Sequence, residues 1–164
     1  MGYPLPYLYD FRVPGVTSIS CDPHKYGYGP KGASILMFKT KALRRYQLYV
    51  NSEWNGGIYA TTCIAGSRPG SVIAGTWASM LKHGKKGYAE KAKRILEAQK
   101  QIREAFKNDP DIQVTSKHTS PTFSFTSSTV NAIAVSDQMY KRGQWTIAKL
   151  QRPPSGHIGI TDAN

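Results

Sequence analysis

The sequence is short of cysteine, of acidic side chains and of long apolar runs. Its two cysteines, Cys21 and Cys63, lie in apolar surroundings with no Cys-x-x-Cys pattern and no adjacent histidine. This usage excludes a disulfide framework and a cysteine-based zinc site, and favours reduced core thiols in a reducing compartment. The longest mainly apolar run, 33–38, is far shorter than the ~20 residues of a membrane helix. We therefore expect neither a metal site nor a membrane anchor within this chain.

Positively charged side chains outnumber negatively charged ones in the sequence. The 164 residues include 22 Lys and Arg against 10 Asp and Glu, a formal net charge of +12. Such a balance suits phosphates, nucleic acid or an anionic membrane surface. Nine of the 22 cationic residues fall within 82–107, where the pattern is helical, so much of the charge is expected on a solvated helix surface. The length and the 40% hydrophobic content are typical of one globular domain or a piece of one.

Local patterns predict a mixed α and β chain. β-branched content indicates a strand at 16–21, and a continuous apolar run indicates a second, fully buried strand at 32–38. Apolar residues at helical spacing, among them Ile73, Trp77 and Leu81, predict a long helix over 71–106 that Gly84 and Gly87 break or bend. The other predicted elements are helices at 41–46 and 136–141 and strands at 112–115, 122–126, 132–135 and 158–160.

The loop between the first two strands contains a glycine pattern that invites a dinucleotide interpretation. Gly27-Tyr28-Gly29-Pro30-Lys31-Gly32 matches G-x-G-x-x-G. In a dinucleotide fold this motif opens a helix whose N-terminus receives the pyrophosphate. Here Pro30 and the apolar run after Gly32 predict a strand, so we reject a dinucleotide site.

Four motifs in one order give the loop a different interpretation: Asp22-Pro23-His24-Lys25-Tyr26-Gly27, Gly29-Pro30-Lys31-Gly32, Gly56-Gly57-Ile58-Tyr59 and Gly66-Ser67-Arg68-Pro69-Gly70. From about residue 9 to 160 the chain resembles the pyridoxal-phosphate-dependent group II decarboxylase superfamily. Within it, the string Asp-x-His-Lys-Tyr-Gly-x-x-Pro-Lys-Gly is similar to the sphingosine-1-phosphate lyase family rather than to the amino-acid decarboxylases. The resemblance implies an α/β fold of type I, like that of aspartate aminotransferase, and pyridoxal 5'-phosphate as cofactor.

The resemblance also implies roles for individual residues. Lys25 takes the catalytic Schiff-base position, and we expect a neighbouring cation such as His24, or the exclusion of water, to lower its pKa, because only a neutral amine is nucleophilic. Lys31 is expected to hold the substrate phosphate, and Tyr59 to border the same site. The residues expected on the cofactor are His24 against its phosphate, Lys25, Gly66, and Ser67 reaching phosphate from the neighbouring subunit.

The implied reaction is a retro-aldol cleavage of a phosphorylated sphingoid base to a long-chain aldehyde and phosphoethanolamine. The resemblance further implies a homodimer with a shared active site, a location at the endoplasmic reticulum membrane, and no nucleic-acid partner. It divides the chain into the end of the large cofactor domain (1–70), a connecting helix (71–107) and a truncated small α+β domain (108–164). The family's Asp at the pyridine nitrogen and its stacking His cannot be assigned among the 24 residues before Lys25. We therefore expect a fragment without turnover of its own.

Two alternatives stay open at this point. The chain could be a non-catalytic basic module, either a pseudoenzyme subunit or a protein that binds nucleic acid or membrane anions through the helix at 82–107. It could also be an amino-acid decarboxylase of the same superfamily, which Lys31 and the Tyr26-Gly27 pair disfavour. Arg68 is equally compatible with a phosphate ligand and with a turn residue paired to a carboxylate.

Overall fold

The computed structural model describes residues 7–117 and 119–162 of the chain. These residues fall into two compact units, of which the first ends at Gly84 and the second begins at Lys85. The boundary therefore lies within the longest helix of the chain.

The first unit contains two antiparallel strand pairs. Strand β1 (Ser18–Cys21) pairs with β2 (Ile35–Phe38), and after the short helix α1 (Lys41–Arg45) strand β3 (Tyr49–Asn51) pairs with β4 (Tyr59–Thr61). The predicted strands at 16–21 and 32–38 are confirmed in position. Full burial of the second is wrong, because Leu36 and Met37 are 48% and 39% exposed in a sheet of two strands.

Helix α2 (Gly70–Lys107) runs through the end of the first unit into the second. Its backbone leaves helical geometry at Gly84, where φ is 57°, a value that glycine adopts without the steric cost of a side chain. The predicted interruption is thus confirmed at Gly84, whereas Gly87 is helical. The helix ends at Lys107, one residue beyond the predicted end, and Pro110, which could not continue it, follows three residues later. No helix within the described ranges is both long and apolar enough to cross a bilayer.

The second unit is a four-stranded antiparallel sheet with helices, as the predicted α+β character requires. Two buried phenylalanines of β6, Phe123 and Phe125, alternate with half-buried polar residues. Phe106 of α2 meets both rings edge-on, with centroids 5.8 and 5.1 Å apart. The elements are β5 (Gln113–Val114), β6 (Thr122–Thr126), α3 (Ala132–Gly143), β7 (Ala148–Gln151) and β8 (Pro154–Gly159), in the sheet order β5-β6-β8-β7.

An ion-pair cluster ties the last described residues of this unit to α2. Asp162, whose side chain is 13% exposed, accepts hydrogen bonds from Lys91 and from the Arg94 guanidinium at 2.6 and 2.9 Å. The two cations hold the pKa of Asp162 below its ordinary value. Part of the basic surface predicted for 82–107 is therefore neutralised within the unit.

The predicted strand at 132–135 is wrong, because these residues form the first turn of α3. Asn131 precedes the helix in an extended conformation, and its side-chain oxygen accepts hydrogen bonds from the backbone N–H groups of Ile133 and Ala134, at 3.0 and 3.2 Å. This N-cap satisfies donors that have no partner within the helix. It outweighs the weak strand preference of the β-branched Ile133 and Val135.

Replacing the capping side chain should therefore destabilise the second unit. We expect Asn131→Ala to lower the free energy of unfolding by about 1 kcal/mol, because two helix N–H groups lose their acceptor. Urea unfolding followed by circular dichroism measures the change. Gln138→Ala, on the exposed surface of the same helix, is the matched control and should change stability by no more than about 0.5 kcal/mol. Equal effects of the two substitutions would contradict the capping role.

Candidate active site

The loop between β1 and β2 is folded tightly on its first proline. The N–H of Gly29 donates to the carbonyl of Pro23 at 2.9 Å, and Pro23 is buried. A Cβ added to Gly27 would lie 2.7 Å from the same carbonyl oxygen, closer than real Cβ contacts. Glycine at position 27 is therefore required by the close approach of two backbone segments. These contacts hold the loop in a compact turn.

One face of α2 holds this loop in place. The Ser79 hydroxyl lies 3.0 Å from the carbonyl oxygens of both Gly27 and Tyr28, and its single proton can be donated to one of them at a time. Tyr28 adopts a left-handed backbone with φ 54°, which costs a non-glycine residue about 1–3 kcal/mol. Its ring meets that of His83, with centroids 5.3 Å apart. Contacts with α2 therefore stabilise a strained residue between the two loop lysines.

Sequence reasoning missed this contact face. The large apolar residues that identify the helix, Ile73, Trp77 and Leu81, are about 60% exposed within the described residues. Small side chains make the approach to the loop instead. Gly75 lies against the Pro30 ring, where an added Cβ would come within 3.0 Å of Cγ. The signal that could have revealed this contact face is a row of smaller residues at helical spacing, on the side of the helix away from the large apolar ones. These residues are Val72, Gly75, Thr76 and Ser79.

Lys25 projects from the loop and pairs with Asp22. Its Nζ lies 2.9 Å from Asp22 Oδ2, and 63% of the side chain is exposed. The hydrogen bond and the opposite charge of Asp22 raise the pKa of Lys25 above its ordinary value. The expected lowering of this pKa is therefore wrong for the described arrangement, because an anion faces the amine and water is not excluded from it.

His24, beside Lys25, is half-buried and has an unused polar atom. Its Nδ1 is inaccessible to water and has no hydrogen-bond partner among the described residues. A buried polar nitrogen without a partner costs free energy. The described arrangement therefore leaves one polar atom of this histidine unsatisfied.

Lys31 lies at the far end of the same loop and is exposed. The following residue, Gly32, has φ 104°, which turns the chain toward β2. The loop thus carries two lysines with Gly27, Tyr28 and Gly29 between them. Both ammonium groups are accessible to an anion.

The remaining predicted site residues lie on other segments of the first unit. Tyr59 begins β4 and meets Trp54 edge-on, with ring centroids 6.0 Å apart; with Tyr49 and Asn51 these two line a shallow hollow. Gly66, with φ 69°, and Ser67 lie in the irregular segment between β4 and α2. The contacts described for Tyr59 and Gly66 are with their own hairpin and turn, so these contacts do not test their predicted roles.

The sequence suggested a phosphate or a carboxylate as the partner of Arg68, and the structure places this residue against a cysteine. Its guanidinium contacts the Cys63 sulfur, which lowers the pKa of that thiol. Both cysteines are free, as predicted, but Cys21 is exposed rather than a core residue. Among the described residues no three His, Cys, Asp or Glu side chains group as metal ligands do.

Comparison with known proteins shows the family to which the chain belongs. The chain belongs to the pyridoxal-dependent decarboxylase family, since the model of that conserved domain matches residues 4–128. Sphingosine-1-phosphate lyases from Saccharomyces cerevisiae and Oryza sativa are 43% and 44% identical to it over 161 residues. These alignments cover 98% of this chain, which spans 27% and 30% of the length of the two relatives.

Solved structures agree with this assignment. A sphingosine-1-phosphate lyase from Burkholderia pseudomallei matches with a TM-score of 0.87 and 41% identity, over 98% of this chain and 36% of that one. Glutamate decarboxylase from Lactobacillus brevis matches with a TM-score of 0.70 and 19% identity, over 92% of this chain and 37% of that one, and therefore shows the fold alone. The predicted partial type I fold of a pyridoxal-phosphate enzyme is confirmed, as is the resemblance to the sphingosine-1-phosphate lyases.

The close packing of the loop makes a prediction. We expect Gly27→Ala to open the loop and to cost about 1–3 kcal/mol, because the added methyl group meets the Pro23 carbonyl. Hydrogen exchange of the amides in 22–32 measures the opening directly. Gly70→Ala is the control, because nothing lies within 4 Å of its added Cβ, and it should leave exchange in the loop unchanged. Unchanged exchange in Gly27→Ala would show that the tight turn is not required.

Proposed function

We propose that this chain supplies the cofactor-binding lysine loop of a pyridoxal-phosphate-dependent lyase. The reaction is cleavage of a phosphorylated sphingoid base to a long-chain aldehyde and phosphoethanolamine. The observation that carries the proposal is 41–44% identity to sphingosine-1-phosphate lyases over 98% of this chain, a span that contains the two-lysine loop. Because the chain spans 27–30% of such curated relatives, the activity is proposed for this segment within the whole enzyme.

The loop fits pyridoxal phosphate. Lys25 offers an accessible amine for covalent attachment, and the neighbouring His24 is proposed to lie against the cofactor phosphate. Gly66 and Ser67 are proposed to bind the cofactor as well, since backbone N–H groups and hydroxyls in turns recognise phosphate. When bound, the cofactor supplies an electron sink for breaking a bond to the carbon that carries the amino group.

Lys31 is proposed to select the substrate. A phosphorylated head group needs a cation, and a lysine ammonium donates charge-assisted hydrogen bonds to phosphate oxygens. Lys31 is exposed and lies on the same ordered loop as Lys25, so one backbone segment sets the distance between the reacting amine and the phosphate-binding cation. Tyr59 is proposed to border the same substrate site.

The alternative functions have weaker support. Similarity to an amino-acid decarboxylase is limited to the shared fold, at 19% identity. A basic module acting through residues 82–107 has less free charge than the sequence indicates, because Lys91 and Arg94 bind Asp162. The lyase proposal accounts for both lysines of the loop.

A segment exchange tests the function. We expect that replacing the matched 161-residue segment of the Saccharomyces cerevisiae relative with this chain gives an enzyme that releases aldehyde and phosphoethanolamine from sphingosine 1-phosphate. Lys25→Ala in this chimera should abolish release, because the covalent attachment is lost. Lys149→Ala, which removes an exposed lysine of β7, is the matched control and should leave the rate within about twofold.

Two outcomes separate the alternatives. A folded chimera that releases carbon dioxide from an amino acid and cleaves no phosphorylated sphingoid base would favour the decarboxylase. A folded chimera in which Lys25→Ala keeps full lyase activity would overturn the assignment of the lysine. Folding is checked by circular dichroism and gel filtration against the unmodified relative.

The proposal extends to a homodimer with a shared site at the endoplasmic reticulum membrane, in which Ser67 reaches the cofactor of the opposite subunit. In the chimera, subunits carrying Lys25→Ala should complement subunits carrying Ser67→Ala, each first shown to be strongly impaired alone. One of the two sites in a mixed dimer is then intact, so activity should return to about half of the unmodified value. If mixed dimers show no recovery, Ser67 acts within its own subunit.

A further inference from the structure

The pairing of β1 with β2 brings a carboxylate and a hydroxyl together at the base of the loop. Cys21 pairs with Ile35 at the end of the ladder, so the residues that follow and precede them, Asp22 and Ser34, face each other. The Ser34 hydroxyl lies 3.1 Å from Asp22 Oδ1 and 3.2 Å from the Cys21 carbonyl. The strand register therefore sets the orientation of the Asp22 carboxylate.

The second oxygen of the same carboxylate is directed to Lys25. Asp22 Oδ2 lies 2.9 Å from Lys25 Nζ, and the Asp22 carbonyl accepts the N–H of Lys25 at 3.1 Å. The lysine is thus bound through both its backbone and its side chain to one residue. The Asp22 side chain is 35% exposed and that of Lys25 is 63% exposed, so solvent screens much of the attraction in this pair.

We propose that Asp22, oriented by Ser34, is a positioning residue that holds the Lys25 amine as an ammonium beside its own turn when no cofactor is attached. The ion pair restrains the amine from reacting with other electrophiles, and it must open before the cofactor attaches. This inference rests on the proposed function of Lys25. Testing the inference needs neither cofactor nor substrate, so its failure can be told apart from a failure of the lyase proposal.

The restraint is measured as the reactivity of the amine. Pulse labelling of the chain with acetic anhydride at pH 8, followed by peptide mass spectrometry, gives the acetylation rate of each lysine. We expect Asp22→Asn to accelerate Lys25 about two- to fivefold, the range expected for losing one partly exposed ion pair. The asparagine keeps an oxygen for Ser34, so the loop is retained. Asp22→Glu, which keeps the charge, should return the rate toward the wild-type value.

Internal controls separate the ion pair from loop opening. The rate of Lys31, on the same loop, should not change in Asp22→Asn. Asp137→Asn removes a comparable partner from Lys149, 2.5 Å away, and should accelerate Lys149 without affecting Lys25. Ser34→Ala removes only the orienting hydroxyl and should give a smaller acceleration of Lys25 than Asp22→Asn.

Three results would overturn the proposal. The first is an unchanged Lys25 rate in Asp22→Asn, which would show that the pair does not restrain the amine. The second is equal acceleration of Lys25 and Lys31 in Asp22→Asn. The third is an Asp22→Glu rate as high as that of Asp22→Asn. Either of the last two would reduce Asp22 to a structural part of the turn.

Discussion

The close approach between the β1–β2 loop and one face of α2 is the contact on which the candidate site depends. Gly27 lies against the backbone of Pro23, and Gly75 of the helix lies against the ring of Pro30. A larger side chain at either position would therefore require local movement. Ser79 then supplies the hydroxyl that the carbonyls of the tight turn need. This packing gives the loop one shape, and that shape sets where its two lysines lie.

Charge is distributed by local pairing rather than by the overall excess of cations. The most informative case is Lys25. The carboxylate of Asp22 raises the pKa of its amine, whereas the neighbouring His24 was expected to lower it. In the second unit, Asp162 pairs with two cations of α2 in the same manner. A formal charge of +12 therefore says little about which cations are available to a ligand.

Much of the fold could be predicted because the signals are local. The strand at 122–126 and the helix over 70–107 follow from side-chain periodicity, and the break at Gly84 from its missing side chain. The start of α3 was missed because one asparagine cap outweighed a β-branched run. The two strands that flank the loop were predicted in position, and the roles of its lysines rest on the family motif and stay predictions. The Ser79 contact could not be predicted, because it joins segments that are distant in sequence. The Asp22 carboxylate lies within the same loop as Lys25, but its orientation depends on Ser34 and so on the pairing of β1 with β2.

Whether Lys25 carries the cofactor decides the function of the loop. The measurement is to add pyridoxal phosphate to the chimera, reduce with borohydride and map the retained pyridoxyl group by peptide mass spectrometry. If Lys25 carries the cofactor, the group is fixed on Lys25 at higher occupancy than on any other lysine and is lost there in Lys25→Ala. A pyridoxyl group fixed mainly on Lys31, or the same total labelling in Lys25→Ala as in the unmodified chimera, would show that Lys25 does not have this role.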